Sequence, residues 1–271
     1  MRRKRALTTE GARAVRQKGY DDALEFALAI GLSTDYKNDP QAKKDVIDLS
    51  GDAHSVKGGI KKWQVFLYGL GRFESDHAFI VMNGIGALLA ECITAFPPTY
   101  AEYQRDKITA KERLRIPMVK LKEKLLERPR LKAFLNKSLF NGGEVNYLTV
   151  KDNKLFHVFL NRNVVDVLGD NLEVCNSRAI SKGQMPEQKV LFRYNGVNLG
   201  ELEMRNDSEI HYRQVRFNMI KPKMMEVLFG KIPMIKKFND KVWMYGNVPR
   251  RFGRWQTEKL PEKPANPLTM P

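Results

Sequence analysis

The apolar residues of the first half of the chain recur mainly with helical spacing. Between residues 10 and 32 they return every three or four positions, which predicts one or two helices, with a break near Gly19 and an end at Gly31. The same spacing predicts helices over 60–72, 84–96 and 109–137, the last one broken at Pro117. The first half is therefore predicted to be mostly helical.

Two short runs in this region are β-type instead. Residues 45–49 (DVIDL) and 53–57 (AHSVK) flank Ser50-Gly51-Asp52, a sequence typical of a hairpin turn. With Gly51 and Asp52 as the two turn residues, Asp48 lies opposite Ser55.

The register of this hairpin decides which side chains meet. Since side chains alternate between the faces of a strand, Asp48, Ser55 and Lys57 are predicted to share one face. A shift of one residue would place Asp45 on that face instead, so both aspartates remain candidates, with Asp48 slightly favoured by geometry.

The second half of the chain has the period-two pattern of strands. Residues 147–159 and 190–205 are predicted to form hairpins, the second around Asn195-Gly196, which tolerates a type I′ turn, and 211–219 is predicted as a further strand. We therefore predict an α/β (α+β mixed) fold in one domain over residues 1–259. The hairpin and helices occupy about 20–135, an antiparallel-rich half about 140–259, and an extended Pro-rich tail 260–271.

The net charge of the chain indicates which kind of molecule it binds. The chain has 47 Lys and Arg against 31 Asp and Glu, a formal net charge of +16. Such an excess attracts polyanions, of which nucleic acid is the default in cytosol. Two cysteines cannot form a disulfide framework, and the most apolar stretch, 78–96, is interrupted by polar residues, which indicates a buried helix rather than a membrane span.

Several enzyme classes lack their sequence signatures. The chain has no GxxxxGK[ST] motif, no GxGxxG between a strand and a helix, and no serine-nucleophile elbow. Its four histidines are dispersed, without HExxH or HxH, which argues against a zinc site. We therefore expect no nucleotide cofactor.

A carboxylate and a lysine beside a hairpin are the groups that metal-assisted phosphodiester cleavage requires. The carboxylate holds Mg²⁺ through hard oxygen atoms, the metal stabilises charge on the phosphate, and the lysine orients or activates the attacking water. The hairpin is therefore the leading candidate for chemistry.

This segment resembles the PD-(D/E)xK nuclease superfamily, which includes type II restriction endonucleases and RecB-like nucleases. The resemblance covers roughly residues 20–75. Asp45 or Asp48 corresponds to the motif aspartate, Ser55-Val56-Lys57 to (D/E)xK, and 64–68 to the QxxxY pattern that several of these nucleases carry on the following helix. Ser55 departs from the family because an acidic residue is usual there; in some restriction enzymes with SxK, a glutamate from the next helix replaces it.

The resemblance implies a restriction-endonuclease-like core, a central mixed sheet flanked by helices, and Mg²⁺ as cofactor. Glu74, although late for the pattern, is the candidate replacement for the missing acid, and Glu25 on the preceding helix is another possible metal ligand. The implied catalytic residues are Asp48, Asp45, Ser55, Lys57, Gln64 and Glu74. The implied metal ligands are Asp48, Asp45, Val56, Glu74 and Glu25.

Two other acidic patterns compete with the hairpin. Asp152-Asn153-Lys154 is a literal DxK, but it lies between two strand runs, where Asp-Asn favours a turn. Glu201 and Glu203 point to one face of a strand and could bind a metal, but no lysine follows two residues later.

Residues 204–216 are rich in planar hydrogen-bonding groups that can read base edges. The candidate DNA-binding residues there are Arg205, Asn206, Asp207, Ser208, His211, Tyr212 and Arg213. Arg205 could instead pair with Glu203 and only shape the loop. A second candidate segment contributes Lys137 and Asn141.

These features predict a Mg²⁺-dependent, sequence-specific double-stranded DNA endonuclease of the type II restriction class. The family implies a cytoplasmic prokaryotic homodimer that leaves 5′-phosphate ends and has no membrane partner. The alternatives are a non-catalytic basic nucleic-acid-binding protein and a repair or RNA-processing nuclease.

Overall fold

Residues 9–179 and 185–256 are described in the computed structural model, and they form a mixed α/β fold. The helices in these ranges are α1 (Thr9–Ala29), α2 (Leu70–Ser75), α3 (His77–Ile80), α4 (Ile85–Thr94), α5 (Tyr100–Arg105), α6 (Lys107–Leu125), α7 (Arg128–Phe140), α8 (Asn161–Asn171) and α9 (Lys221–Lys231). The strands are β1 (Val46–Ile47), β2 (Ala53–Lys57), β3 (Lys62–Tyr68), β4 (Tyr147–Asp152), β5 (Leu155–Leu160), β6 (Glu173–Asn176), β7 (Lys189–Tyr194), β8 (Val197–Arg205), β9 (Gln214–Ile220), β10 (Met234–Lys237) and β11 (Val242–Tyr245). The predicted Pro-rich tail lies outside the described residues.

The strands form two sheets to which both halves of the chain contribute. One is a mixed six-stranded sheet in the order β1-β2-β4-β5-β11-β10, in which β2 is parallel to β4 and β5 to β11. The other is an antiparallel five-stranded sheet in the order β3-β9-β8-β7-β6. Because β2 and β3 pair with strands from the second half, the two predicted sections interleave instead of forming separate layers.

Apolar side chains cover the six-stranded sheet on both faces. On one face, α1 contributes Phe26 and Ile30 to a cluster with Val56 and Phe156. On the other face, Leu148 and neighbouring sheet residues join a larger cluster that includes the five-stranded sheet and residues of α4, α6 and α7. The ends of β2 and β4 are therefore fixed between two packed layers. Within the described ranges, no helix has the length and apolar character needed to cross a membrane.

The two hairpins predicted in the second half are confirmed. β4 and β5 meet at a turn in which Asn153 has a φ of 53°, and β7 and β8 meet at Asn195-Gly196, with φ values of 47° and 73°. Asparagine and glycine tolerate this left-handed conformation, which explains why the local sequence was sufficient here.

The predicted helix over 60–72 is wrong. Residues Lys62–Tyr68 form β3, and α2 begins only at Leu70. Trp63 and Val65 are buried and alternate with exposed neighbours, but a bulge between Gln64 and Phe66 shifts the alternation and produces a spacing that resembles a helix. The QxxxY residues therefore lie on a strand of the five-stranded sheet.

The predicted helix breaks at Gly19 and Pro117 are also wrong. α1 runs through Gly19 without interruption, and α6 continues through Pro117 to Leu125. A glycine inside a helix costs about 1 kcal/mol. The buried face of α1, which includes Phe26 and Ile30, outweighs that cost through packing.

Candidate active site

The β1–β2 hairpin has a longer loop than the sequence pattern predicted. Val46 pairs with His54 and Ile47 with Ala53, so residues 48–52 form a five-residue loop. The carboxylate of Asp48 closes this loop, accepting hydrogen bonds from the backbone N–H groups of Ser50 at 2.8 Å and Asp52 at 3.0 Å. The predicted pairing of Asp48 with Ser55 is therefore wrong.

Asp45 is the aspartate that meets the SxK segment. Its Oδ2 accepts a hydrogen bond from the Val56 N–H at 2.7 Å, lies 3.3 Å from the Ser55 hydroxyl and is 3.4 Å from the Lys57 Nζ. The side chains of Asp45 and Lys57 are each 25% exposed, so this carboxylate–lysine pair is accessible from solvent. The observed register is shifted by three residues from the predicted one, and this odd shift, like the shift of one residue considered above, places Asp45 on the face of Ser55 and Lys57.

Asp48 instead belongs to a buried polar network. Its Oδ2 lies 3.2 Å from Nε2 of His54, whose Nδ1 lies 2.9 Å from the Thr149 hydroxyl. Next to it, Asp52 accepts a hydrogen bond from the Tyr147 hydroxyl at 3.1 Å and forms an ion pair with Arg251 at 2.6 Å. Because its oxygens already have these partners and the side chain is fully buried, Asp48 has a structural role.

Burial controls the protonation of this network. It lowers the pKa of His54, although the hydrogen bond and charge of Asp48 and the charge of Asp52 act in the opposite direction. It raises the pKa of Asp52, and the neighbouring Asp48 carboxylate raises it further. His54 is therefore favoured in its neutral form.

We expect His54 to make the fold sensitive to acid. Because its pKa is lowered in the folded state, its contribution to stability is complete above about pH 6.5, its ordinary pKa, and is lost as the pH falls through the lowered value. Thermal unfolding of the wild type and of His54→Gln at pH 7.5 and 5.5 checks this. The wild type should lose more melting temperature on acidification than the variant, and equal losses would contradict the assignment.

A second carboxylate–lysine group lies at the same end of the sheet. Lys151 of β4 contacts Asp22 at 2.7 Å and Glu25 at 2.6 Å, both on α1. Val56 packs in the cluster on the α1 face, whereas Lys57, the next residue along the strand, points to the opposite face. Glu25 is thus held by Lys151 instead of standing beside Asp45. Sequence reasoning missed Asp22, whose signal was its i,i+3 spacing from Glu25 on a helix.

Gly58 makes room for Asp22 directly after Lys57. A Cβ atom built at Gly58 would lie 1.8 Å from Asp22 Oδ2 and 2.8 Å from its Cγ. We expect Gly58→Ala to lower the free energy of unfolding by about 1–3 kcal/mol, because the carboxylate must move away from its lysine. Gly71→Ala is the control, since a Cβ there meets nothing within 4 Å. Equal stability of the two variants in urea denaturation would contradict this account.

The two remaining predicted catalytic residues lie elsewhere. Gln64 is exposed on β3 and Glu74 is exposed on α2. Among the described residues, no hydrogen bond or ion pair joins either one to Asp45 or Lys57. The structure therefore does not bring Glu74 into the position of the acid missing at Ser55.

Lys43 is a neighbour of the site that sequence reasoning missed. Its ammonium donates to the main-chain carbonyl of Val65 at 3.0 Å and to that of Ser138. Burial, followed by repulsion from nearby cations, lowers the pKa of Lys43 to about 7. Lys43 therefore ties the segment that leads to Asp45 to β3 and α7.

Two of the charged side chains proposed to read DNA are paired with each other within the protein. Arg205 makes a two-point contact with Asp207, at 2.6 and 3.1 Å, and its side chain is 11% exposed. Its partner is Asp207, not Glu203. A base contact by Arg205 would require this pair to open.

Other residues of the same segment pack against the α4–α5 region. The hydroxyl of Tyr212 donates to the Pro97 carbonyl at 2.8 Å, and Arg213 Nε donates to the Ile93 carbonyl at 3.4 Å. The remaining members are His211, which lies 3.2 Å from Gln214, Asn206, which lines a cavity of about 480 Å³, and Ser208, whose hydroxyl is buried. In the second candidate segment, Lys137 contacts Asp76 and Asn141.

Glu201 and Glu203, the competing acidic pair, form a charge ladder across the five-stranded sheet. Glu201 contacts Lys62 at 2.7 Å and Lys189 at 3.1 Å, and Glu203 contacts Lys189 and Arg216. Both carboxylates are compensated by cations, which indicates a structural role. The described ranges contain no group of three or more His, Cys, Asp or Glu side chains placed to bind a metal ion together.

The hairpin therefore presents an accessible carboxylate–lysine pair, formed by Asp45 and Lys57 with Ser55 beside them. Comparisons of the chain with protein families, with curated proteins and with solved structures found no match in any of the three.

Proposed function

We propose that this protein is a Mg²⁺-dependent endonuclease that cleaves double-stranded DNA at specific sequences. The observation that carries the proposal is the 3.4 Å approach of Lys57 Nζ to Asp45 Oδ2 on a partly exposed hairpin. A carboxylate can hold a metal at this position while the lysine serves the attacking water. The net charge of +16 supports a polyanionic substrate.

The donor set at Asp45 fits Mg²⁺. Within the described residues, all hydrogen bonds to this carboxylate go to Oδ2, which leaves Oδ1 for a cation. Mg²⁺ is commonly held by one or two carboxylates, with water and substrate phosphates as its other ligands. Asp45 and the main-chain oxygen of Val56 would hold the ion, which would supply neutralisation of the phosphate charge.

The neighbouring groups have distinct roles in this proposal. Ser55 donates to Asp45 Oδ2 and orients the carboxylate, instead of providing the acid that is usual at its position. Lys57 Nζ orients the attacking water or takes its proton. The proposal also includes a restriction-endonuclease-like core. It is supported by the mixed sheet, in which the hairpin strand β2 pairs in parallel with β4 and packs against α1.

Incubation of the purified protein with plasmid DNA tests the proposal directly. We expect discrete fragments with 5′-phosphate ends in Mg²⁺ and none in EDTA. A smear would overturn sequence specificity and favour a repair nuclease. Binding without cleavage would favour the non-catalytic nucleic-acid-binding protein. Sedimentation of the active species tests the proposed homodimer.

A further inference from the structure

Three cations gather beside the Asp45–Lys57 pair, and together with Lys57 we call them the cationic cluster: Lys43, Lys57, Arg72 and Lys137. They come from distant parts of the sequence, namely the turn before β1, the end of β2, α2 and α7. Lys43 lies two residues before Asp45, which contacts Lys57, and its ammonium donates to the carbonyl of Ser138, the residue after Lys137.

Contacts within the cluster fix the position of its members. Arg72 and Lys43 lie over the ring of Tyr68, at 5.3 and 6.0 Å from its centre. Asp76 joins Arg72 and Lys137, with both ion pairs at 2.9 Å. These contacts therefore run from Lys43, beside Asp45, across Tyr68 and Arg72 to Lys137 of α7, and Arg72 is the exposed member.

Positive charge exceeds negative charge in the contacts of the cluster. Among the described residues, its four basic side chains pair with two carboxylates, Asp45 and Asp76, and Lys43 donates to neutral carbonyls instead of a counter-ion. An anion placed beside Arg72 would therefore be attracted by the excess of positive charge.

We propose that the cationic cluster binds, through Arg72, a phosphate group of the DNA strand. This phosphate is the neighbour of the phosphate that lies at Asp45 and Lys57. This inference rests on the proposed function, since it supplies the substrate contact that places the strand. Arg72 provides the accessible donor, because its side chain is 41% exposed and a guanidinium can contact a phosphate with two N–H groups. Lys137 provides a second positive charge, which its ion pair with Asp76 holds in place.

Binding of a 20-base-pair duplex, measured by fluorescence anisotropy in EDTA between 50 and 200 mM salt, tests the proposal without cleavage. Loss of one phosphate contact decreases the magnitude of the negative slope of log K, the association constant, against log salt concentration by about 0.9. We expect this decrease in Arg72→Gln and a wild-type slope in Arg72→Lys. Arg115→Gln is the matched control, because Arg115 is 46% exposed and likewise paired with a carboxylate, Glu187.

A wild-type slope in Arg72→Gln would overturn the phosphate site, as would an equal decrease in Arg115→Gln, which would indicate diffuse attraction. Failure of the wild type to bind the duplex would also overturn it. If the slopes differ as expected but Mg²⁺ produces no cleavage, the nuclease proposal fails and the phosphate site stands. If DNA is cleaved but the slopes agree, only the phosphate site fails.

Discussion

Lys57→Ala is expected to abolish Mg²⁺-dependent cleavage while DNA binding stays within a few-fold of the wild type. Removal of a group that transfers or positions a proton costs about 10²–10⁴-fold in rate. Lys57 is one of 47 Lys and Arg residues, so its share of the overall attraction to phosphate is small. Single-turnover cleavage at saturating protein, together with anisotropy in EDTA, separates the two effects.

Lys154→Ala is the matched control for this experiment. Lys154 belongs to the literal DxK sequence at 152–154, but it lies in the turn between β4 and β5. The control should cleave at the wild-type rate. Cleavage by Lys57→Ala at the wild-type rate would remove Lys57 from the reaction and, with it, most support for the nuclease assignment.

Substitution of the two aspartates of the hairpin is expected to affect different properties, the cleavage rate for Asp45 and the stability for Asp48. Asp45→Ala should lose at least about 10²-fold in cleavage rate, because even residues that only support a metal ligand commonly cost 10–100-fold. It should remain folded, since the side chain is partly exposed. Asp48→Ala should instead lose about 1–3 kcal/mol of stability, because the buried N–H group of Asp52 and the buried ring of His54 lose their partner.

Urea denaturation and a cleavage titration against Mg²⁺ concentration distinguish these outcomes. For Asp48→Ala we expect a lower denaturation midpoint and wild-type cleavage per folded molecule. The opposite pattern, with Asp45 important for stability and Asp48 for metal dependence, would mean that the active carboxylate is Asp48. Such a result would favour the predicted register, in which Asp48 lies opposite Ser55, over the observed one.

Local sequence predicted the elements whose conformation depends on a few neighbouring residues. The strand at 53–57 and the turn at Asn195-Gly196 were predicted because β-type alternation and residues that tolerate positive φ act locally. β3 was not, because its bulge depends on pairing with β9, which lies about 150 residues later in the chain. A pattern of spacing cannot report such a partner.

The candidate site shows the same division. The residues around the hairpin limited the motif aspartate to Asp45 or Asp48, and the choice depended on a loop that Asp48 itself closes. Glu25 was correctly placed on the helix before the hairpin, but its partner Lys151 comes from β4. The Arg205–Asp207 pair was missed because both residues could equally have pointed to solvent.

By itself, the sequence determined a mixed α/β fold, a strongly basic chain and an SxK hairpin with two candidate aspartates. The tertiary structure decided that Asp45 meets Lys57 and that Asp48 is buried. It also brought Lys43, Arg72 and Lys137 to the Asp45–Lys57 pair. The physical reason is that composition and strand alternation are local properties. Register, burial and the balance of charge at a site depend on side chains that only packing brings together.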